Sequence, residues 1–168
     1  MRRIRIVVAY DGTNYCGWQI QPNGITIEEI LNRQISKLTG EDIRIIGASR
    51  TDSGVHALGN VAVFDTESRI PGDRSAYGRN QKRPEDIVIV RSDEVQIDWH
   101  PRYQNEISKT YEYHIYNAKV RNPLKNRYST FVSFDLDVEK MRQGAKYILR
   151  LRYAGYSLYI PDLENSCP

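Results

Sequence analysis

Residues 47–57 form a polar loop between two apolar runs, and they read Gly-Ala-Ser-Arg-Thr-Asp-Ser-Gly-Val-His-Ala. Ile43–Ile46 precedes the loop and Val61–Phe64 follows it, so we expect two strands joined by this segment. Two glycines give its backbone extra conformational freedom. The loop therefore presents a cation and a carboxylate, Arg50 and Asp52, between two elements of a sheet.

The chain on either side of this loop predicts an alternation of strands and helices. A first helix begins after the N-cap Thr26, repeats apolar residues at helical spacing and ends at Gly40. Residues 73–81 predict a second helix. Apolar runs bounded by turn residues predict strands at 4–10, 43–48, 59–66 and 87–90. The order β-α-β-β-α-β is that of a ferredoxin-like α+β unit with an antiparallel sheet.

The composition changes near residue 98, and we expect a second, smaller part beyond it. Its predicted elements are a long strand at 107–117 with alternating tyrosines, a short strand at 131–134 and a helix at 138–149. The last residues have no clear period. The predicted division is therefore 1–98, 99–149 and an atypical tail at 150–168.

Cations and tyrosines concentrate between His100 and Arg127. This basic window holds six Lys or Arg against two Glu, whereas the whole chain carries a net charge of +3. Cations mixed with aromatic rings suit a surface that binds phosphates and stacks bases. A half-buried strand, with tyrosines on one face and lysine stems along the other, explains the same composition.

Cysteine and histidine usage argues against disulfides and metal sites. The two cysteines, Cys16 and Cys167, lie far apart, and the three histidines have no metal-ligand spacing. No apolar run approaches the length of a membrane span, and no signal peptide follows Met1. We therefore expect a cytoplasmic protein with no membrane contact and no metal.

Asp52 is the candidate catalytic residue. A carboxylate in a loop between strands can be held at a cleft, and the cation of Arg50 favours its ionised form. An ionised aspartate can act as a nucleophile or a base. The alternative is a turn aspartate that accepts a hydrogen bond from its own backbone.

Three stretches, taken together, resemble the tRNA pseudouridine synthase A family. They are Tyr-Asp-Gly-Thr-Asn-Tyr-Cys-Gly-Trp-Gln-Ile-Gln at 10–21, the loop at 47–57 and Lys-Thr-Tyr-Glu-Tyr at 109–113. The resemblance implies an isomerase that converts uridine to pseudouridine in the anticodon stem-loop of tRNA. It also implies a homodimer and chemistry that needs neither a metal nor an organic cofactor.

The resemblance assigns roles to three residues. Asp52 matches the catalytic aspartate, which attacks a flipped-out uridine at either the base or the sugar carbon. Arg50 matches the arginine that pairs with this aspartate and fills the space left by the base. Tyr111 matches the tyrosine that stacks on the target base. Extruding a base costs a few kcal/mol, and such contacts offset that cost.

Further contacts are expected around this core of the site. Arg102 and Lys109, in the basic window, would bind the RNA backbone with an affinity that falls as salt rises. His56 is expected to anchor the loop through the backbone, with an acid–base role as the alternative. Trp18 is expected to pack beneath the loop rather than to serve as a platform for a base.

The match to the family follows the chain in order to about Tyr147, and family members are longer, with a second ferredoxin-like half. We therefore expect a shortened or frame-shifted member. Two other interpretations remain at this point: an RNA-binding module without catalysis, and an α+β domain whose tyrosines belong to the core.

Overall fold

A computed structural model of the chain describes residues 1–69, 84–103 and 109–150. The chain divides into two compact units, Met1–Thr110 and a second unit that begins at Tyr111. The boundaries predicted near residues 98 and 149 come from changes in sequence pattern. A division of the chain into compact units does not test them, so they stay predictions.

The first unit is built on a four-stranded antiparallel sheet with the order β2-β3-β1-β4. Its elements are β1 (Arg2–Tyr10), a 3-10 turn (Gly12–Asn14), α1 (Ile27–Thr39), β2 (Ile46–Gly47), β3 (Ala57–Thr66) and β4 (Ile87–Val95). Strand β3 lies between β1 and β2 and runs antiparallel to both. This split β-α-β arrangement, with β4 on the other side of β1, is the ferredoxin-like topology. The predicted α+β fold class is confirmed, while the helix predicted at 73–81 lies outside the described residues.

One face of the sheet packs against α1 and forms the core. Alternate residues of β1, including Ile4, Ile6 and Val8, are buried because successive strand side chains point to opposite faces. Helix α1 contributes Ile27, Leu31 and Ile35, which recur at helical spacing and are fully buried.

The ends of α1 follow the sequence signals. The hydroxyl of Thr26 accepts a hydrogen bond from Glu29 N at 3.3 Å, and Gly40 closes the helix in the left-handed conformation, with φ of +76°. Both predicted caps are confirmed. Leu38, the last apolar residue of α1, lies in its final turn and is 37% exposed.

The second predicted strand is shorter than expected. Residues 43–47 alternate between buried and exposed, but only Ile46–Gly47 forms a strand paired with β3. Polar side chains of α1 take the earlier amides: Ile43 N donates to Ser36 Oγ and Ile45 N donates to Asn32 Oδ1, both at 2.9 Å. The segment is therefore fastened to the helix before it joins the sheet.

The second unit contains β5 (Ile115–Asn117), β6 (Thr130–Val132) and α2 (Val138–Arg150). The two short strands pair in parallel. The long strand predicted at 107–117 is wrong over 109–114, which form no strand. A strand requires a paired neighbour, and within the described residues β5 pairs only along its three residues, with β6. The helix predicted at 138–149 is confirmed.

No helix in the described ranges has the length and hydropathy needed to cross a bilayer. Over the same ranges, no three His, Cys, Asp or Glu side chains are grouped so that they could hold a metal ion.

Candidate active site

The loop between β2 and β3 places Asp52 at the surface. Asp52, Ser53 and Arg50 are exposed, whereas Gly47 and Ala48 at the start of the loop are buried. The ion pair expected between Arg50 and Asp52 is not formed among the described residues, because their spacing in sequence does not set the direction of either side chain. The Asp52 carboxylate is thus open to solvent, and its own carbonyl oxygen accepts from Val55 N at 3.2 Å.

The backbone of the loop is held by the stretch at 15–18. Trp18 N donates to Thr51 O at 2.9 Å, and Gly54 N donates to Tyr15 O at 3.3 Å. The Ser53 hydroxyl donates to the same Tyr15 oxygen at 3.2 Å. These bonds fix the residue on each side of Asp52 and leave its side chain free.

Close backbone approach explains two glycines in the same stretch. A Cβ on Gly17, whose φ is +80°, would lie 2.5 Å from Thr51 O. A Cβ on Gly12 would overlap the carbonyl group of Val55. Residues 12–17 and the Asp52 loop therefore meet backbone to backbone, which is why positions 12 and 17 are glycines.

Trp18 packs beneath the loop, as predicted. It is 1% exposed, and its indole lies so close to Gly47 that a Cβ there would be 2.5 Å from Nε1. Its ring is 5.9 Å from that of Tyr10. A buried ring cannot stack on an incoming base, so the structure excludes the platform role.

A buried polar cluster supports the start of the loop. Asn60 is 7% exposed and holds Ser49 by two hydrogen bonds: Ser49 N donates to Asn60 Oδ1 at 3.3 Å, and Asn60 Nδ2 donates to Ser49 O at 3.0 Å. The hydroxyl groups of Tyr10 and Thr51 lie 2.8 Å apart. Burial raises the pKa of Tyr10, so this phenol stays neutral as a hydrogen-bonding group.

Tyr15 connects the loop's support to the start of β4. It is 6% exposed and donates its hydroxyl to Asp86 Oδ1 at 2.7 Å. Burial, and next the hydrogen bond to the Asp86 carboxylate, raises the pKa of Tyr15 well above its ordinary value. Asp86 also accepts from Asp11 N through its backbone oxygen at 2.9 Å.

His56 anchors the end of the loop, and that interpretation is confirmed. Its Nδ1 lies 3.2 Å from Gly12 N, which donates to it, and 3.1 Å from Asp11 Oδ1. These contacts join the end of the loop to the start of the 3-10 turn. A contact of His56 with substrate stays a prediction.

Arg102 and Lys109 reach the loop, although the sequence suggested contacts with RNA. Arg102 Nε donates to Gly47 O at 2.9 Å, and Lys109 Nζ donates to Ala48 O at 3.0 Å. Both cations therefore have protein acceptors where the loop leaves β2.

Tyr111 belongs to the second unit, where its side chain is 64% exposed. The neighbouring Tyr113 is 88% exposed, so neither ring belongs to a core. Two cations of the basic window lie over rings of the same unit: Arg121 is 4.8 Å from the centroid of Phe131, and Lys125 Nζ is 4.7 Å from that of Tyr116. The interpretation of this window as a half-buried tyrosine strand is therefore wrong for residues 109–114.

Sequence reasoning missed the residues that support the loop. Asn60 could have been found, because it is a polar residue at the start of the apolar run Val61–Phe64. The position of Tyr10 at the end of β1 carries a weaker signal. The contacts of Tyr15 with Asp86 and of Lys109 with Ala48 join distant parts of the chain, and local patterns do not reveal them.

This arrangement can present an anionic oxygen on a rigid backbone. The Asp52 side chain is exposed, while its loop is fixed by hydrogen bonds with residues 15–18, with Asn60 and with Gly12, whose N–H donates to His56 of the loop. A carboxylate so placed can accept a proton or attack an electrophilic carbon.

Comparison with known proteins identifies the family of the chain. The family model described as tRNA pseudouridine synthase matches residues 6–104. This range contains the whole Asp52 loop and the second half of β1. The chain therefore belongs to the tRNA pseudouridine synthase family, as the sequence motifs predicted.

The curated relatives carry a more particular name. The protein called tRNA pseudouridine synthase A in Thermoanaerobacter sp. (strain X514) is 45% identical over 149 residues. Its namesake in Acetivibrio thermocellus is 49% identical, and tRNA pseudouridine synthase A 2 of Clostridium perfringens is 47% identical. Each alignment covers 89% of this chain and 61% of the relative, so the chain spans about three-fifths of the length of these proteins.

Proposed function

We propose that this chain carries the catalytic loop of a tRNA pseudouridine synthase, with Asp52 as the nucleophile. The observation that carries the proposal is the exposed Asp52 carboxylate on a loop whose backbone is fixed on both sides. Family membership supplies the class of reaction. A rigid loop holds the carboxylate in one direction before substrate arrives, which lowers the entropy lost on reaching the reactive geometry.

The reaction rearranges one nucleoside without adding or removing atoms. The Asp52 carboxylate adds to the sugar carbon or to the base, and the bond between ring nitrogen and sugar breaks. The base turns and bonds to the sugar through a ring carbon. That carbon loses its proton, the freed nitrogen holds one, and the carboxylate is released. No oxidant, reductant or metal enters this balance.

Arg50 and Tyr111 are proposed to bind the target nucleoside. A uridine within a stem must leave the stack before Asp52 reaches it. Arg50 is exposed two residues from Asp52, and we propose that it occupies the position that the base vacates. The Tyr111 ring is largely exposed and can stack on the base.

The proposed substrate is the anticodon stem-loop of tRNA, and the proposed location is the cytoplasm, where tRNA is found. We also propose that the chain acts as a homodimer, as the resemblance implies. Sedimentation of the full chain, with and without tRNA, tests the dimer directly.

A pseudouridine-specific assay on unmodified tRNA tests the proposed activity. The full chain should form pseudouridine in the anticodon stem-loop, and Asp52→Ala should abolish it while tRNA affinity stays within severalfold. Asp42→Ala is the matched control. Asp42 is an exposed aspartate that lies beside residues of α1 rather than beside the Asp52 loop. Asp42→Ala should retain full activity.

A second candidate is an RNA-binding module without catalysis, which the exposed rings of Tyr111 and Tyr113 in the basic window favour. Salt-dependent tRNA binding with no pseudouridine formed would select this candidate. Product formation that survives Asp52→Ala would contradict the proposed nucleophile.

A further inference from the structure

We propose that Arg102 and Lys109 are positioning residues that order the Asp52 loop, rather than contacts for RNA phosphates. This inference rests on the proposed function for its effect on rate, although the ordering of the loop can be measured without it. Arg102 Nε donates to Gly47 O and Lys109 Nζ donates to Ala48 O, so two cations hold two consecutive carbonyl groups.

These carbonyl groups lie where the loop leaves the sheet. Gly47 pairs with Ala62 in the β2–β3 ladder, and Ala48 N donates to Val61 O at 2.7 Å. The next residue, Ser49, is already held by a side chain, that of Asn60. The direction in which the chain enters the loop is therefore set at Gly47 and Ala48.

Burial makes these two bonds consequential. Gly47 is buried and Ala48 is 7% exposed. A buried carbonyl group without a donor is costly, and hydrogen bonds from charged donors are stronger than neutral ones. Removing either cation should therefore loosen the entrance of the loop, four or five residues before Asp52.

Substitutions at Arg102 separate the hydrogen bond from the charge. The Nε2 of glutamine stands at about the position of arginine Nε, so Arg102→Gln retains a donor for Gly47 O but has no positive charge. Arg102→Leu retains neither. A positioning role predicts that Arg102→Gln behaves like the unaltered protein, whereas a phosphate contact predicts that both variants fail alike.

Hydrogen exchange of the full chain measures the order of the loop without any RNA. In Arg102→Leu and in Lys109→Met, we expect the amides of Ala48 and Ser49 to exchange about tenfold faster, the factor that a charge-assisted hydrogen bond supports. The amides of Ile6 and Val8 in β1 report on global stability and should not change. Lys119→Met, which removes an exposed lysine of the basic window, is the control.

Kinetics on unmodified tRNA then separates positioning from binding. Arg102→Leu should lower kcat about tenfold with KM little changed, and Arg102→Gln should restore kcat. A lost phosphate contact would instead weaken tRNA binding and reduce the slope of log affinity against log salt by about one.

The outcomes are distinct. Faster exchange at Ala48 and Ser49, reversed by Arg102→Gln, supports the inference even if the unaltered chain forms no pseudouridine, in which case the proposed function alone fails. Unchanged exchange in both Arg102→Leu and Lys109→Met overturns the inference. A reduced salt slope in Arg102→Gln overturns it as well, whatever the activity of the chain.

Discussion

The backbone N–H of Trp18 donates to the carbonyl oxygen of Thr51 at 2.9 Å, so a core residue holds the neighbour of Asp52. Trp18 is 1% exposed, and its indole also packs against Gly47 at the start of the same loop. The candidate catalytic carboxylate is therefore tied to the hydrophobic core through one intervening residue, and changes in that core should be felt at the site.

Replacing Gly17 should disturb both the backbone and the loop. Gly17 and Gly40 both have φ near +80°, where a side chain costs roughly 1–2 kcal/mol. A Cβ on Gly17 also lies 2.5 Å from Thr51 O, whereas one on Gly40 meets nothing within 4 Å. Urea unfolding should show that Gly17→Ala loses about 1–3 kcal/mol more than Gly40→Ala. Equal losses would mean that the loop moves aside freely.

Replacing Asn60 should lower the stability of the protein, because the backbone N–H and C=O of Ser49 both lose their hydrogen bonds to it. Asn60→Ala removes both hydrogen bonds between Asn60 and Ser49, and we expect a loss of about 1–3 kcal/mol in the free energy of unfolding. Asn14 is exposed, so Asn14→Ala should change stability by less than about 0.5 kcal/mol. If both variants unfold at the same denaturant concentration, Asn60 does not support the loop.

The N-cap of α1 can be tested with a conservative pair. Thr26 is fully buried, and its hydroxyl accepts from Glu29 N. Thr26→Ser retains the hydroxyl, whereas Thr26→Ala removes it, and both remove the methyl group. We therefore expect Thr26→Ala to be less stable than Thr26→Ser by about 1 kcal/mol in thermal or urea unfolding. No difference would show that the cap does not contribute.

Tyr15 predicts a pH dependence of stability in alkaline solution. The pKa of Tyr15 is raised in the folded protein above the ordinary value of 10.0 that it has in the unfolded chain. At a pH between these two pKa values, the unfolded chain therefore binds fewer protons than the folded protein. The Tyr15 hydroxyl group therefore makes its full contribution to the free energy of unfolding below pH 10, and this contribution falls as the pH rises above 10. At pH 8, Tyr15→Phe should be about 2 kcal/mol less stable, because the bond to Asp86 is lost.

The difference in the free energy of unfolding between Tyr15→Phe and the unaltered protein should be smaller at pH 11 than at pH 8. Only the unaltered protein loses the contribution of Tyr15 over this interval. Tyr113→Phe is the control, since Tyr113 is 88% exposed and should leave stability unchanged at both pH values. A gap between Tyr15→Phe and the unaltered protein that stays constant from pH 8 to pH 11 would contradict the role of burial.

The parts of the fold that the sequence predicted are those set by local rules. Strand β1 and helix α1 follow from periodicity, and the caps at Thr26 and Gly40 follow from the chemistry of helix ends. The position of the Asp52 loop followed from two flanking apolar runs, because β3 was predicted almost to its ends.

The failures have tertiary causes. Strand β2 is short because Ser36 and Asn32 of α1 take the amides of the preceding residues, and periodicity contains no sign of such bonds. The tyrosine pattern before Ile115 has the alternation of a strand but pairs with no strand in the described residues. A two-residue spacing placed Arg50 and Asp52 near each other in sequence without specifying a contact.

The fit of residues 12–17 against the Asp52 loop has a consequence for protein engineering. The two stretches touch through carbonyl groups and glycine α-carbons, so their complementarity belongs to the path of the main chain. Residues 47–57 grafted alone onto another scaffold would lack the stretch that holds their backbone in this conformation. The transferable unit is the pair of stretches in their present lengths, since inserting one residue into either would shift the donors at Trp18 and Gly54 out of register.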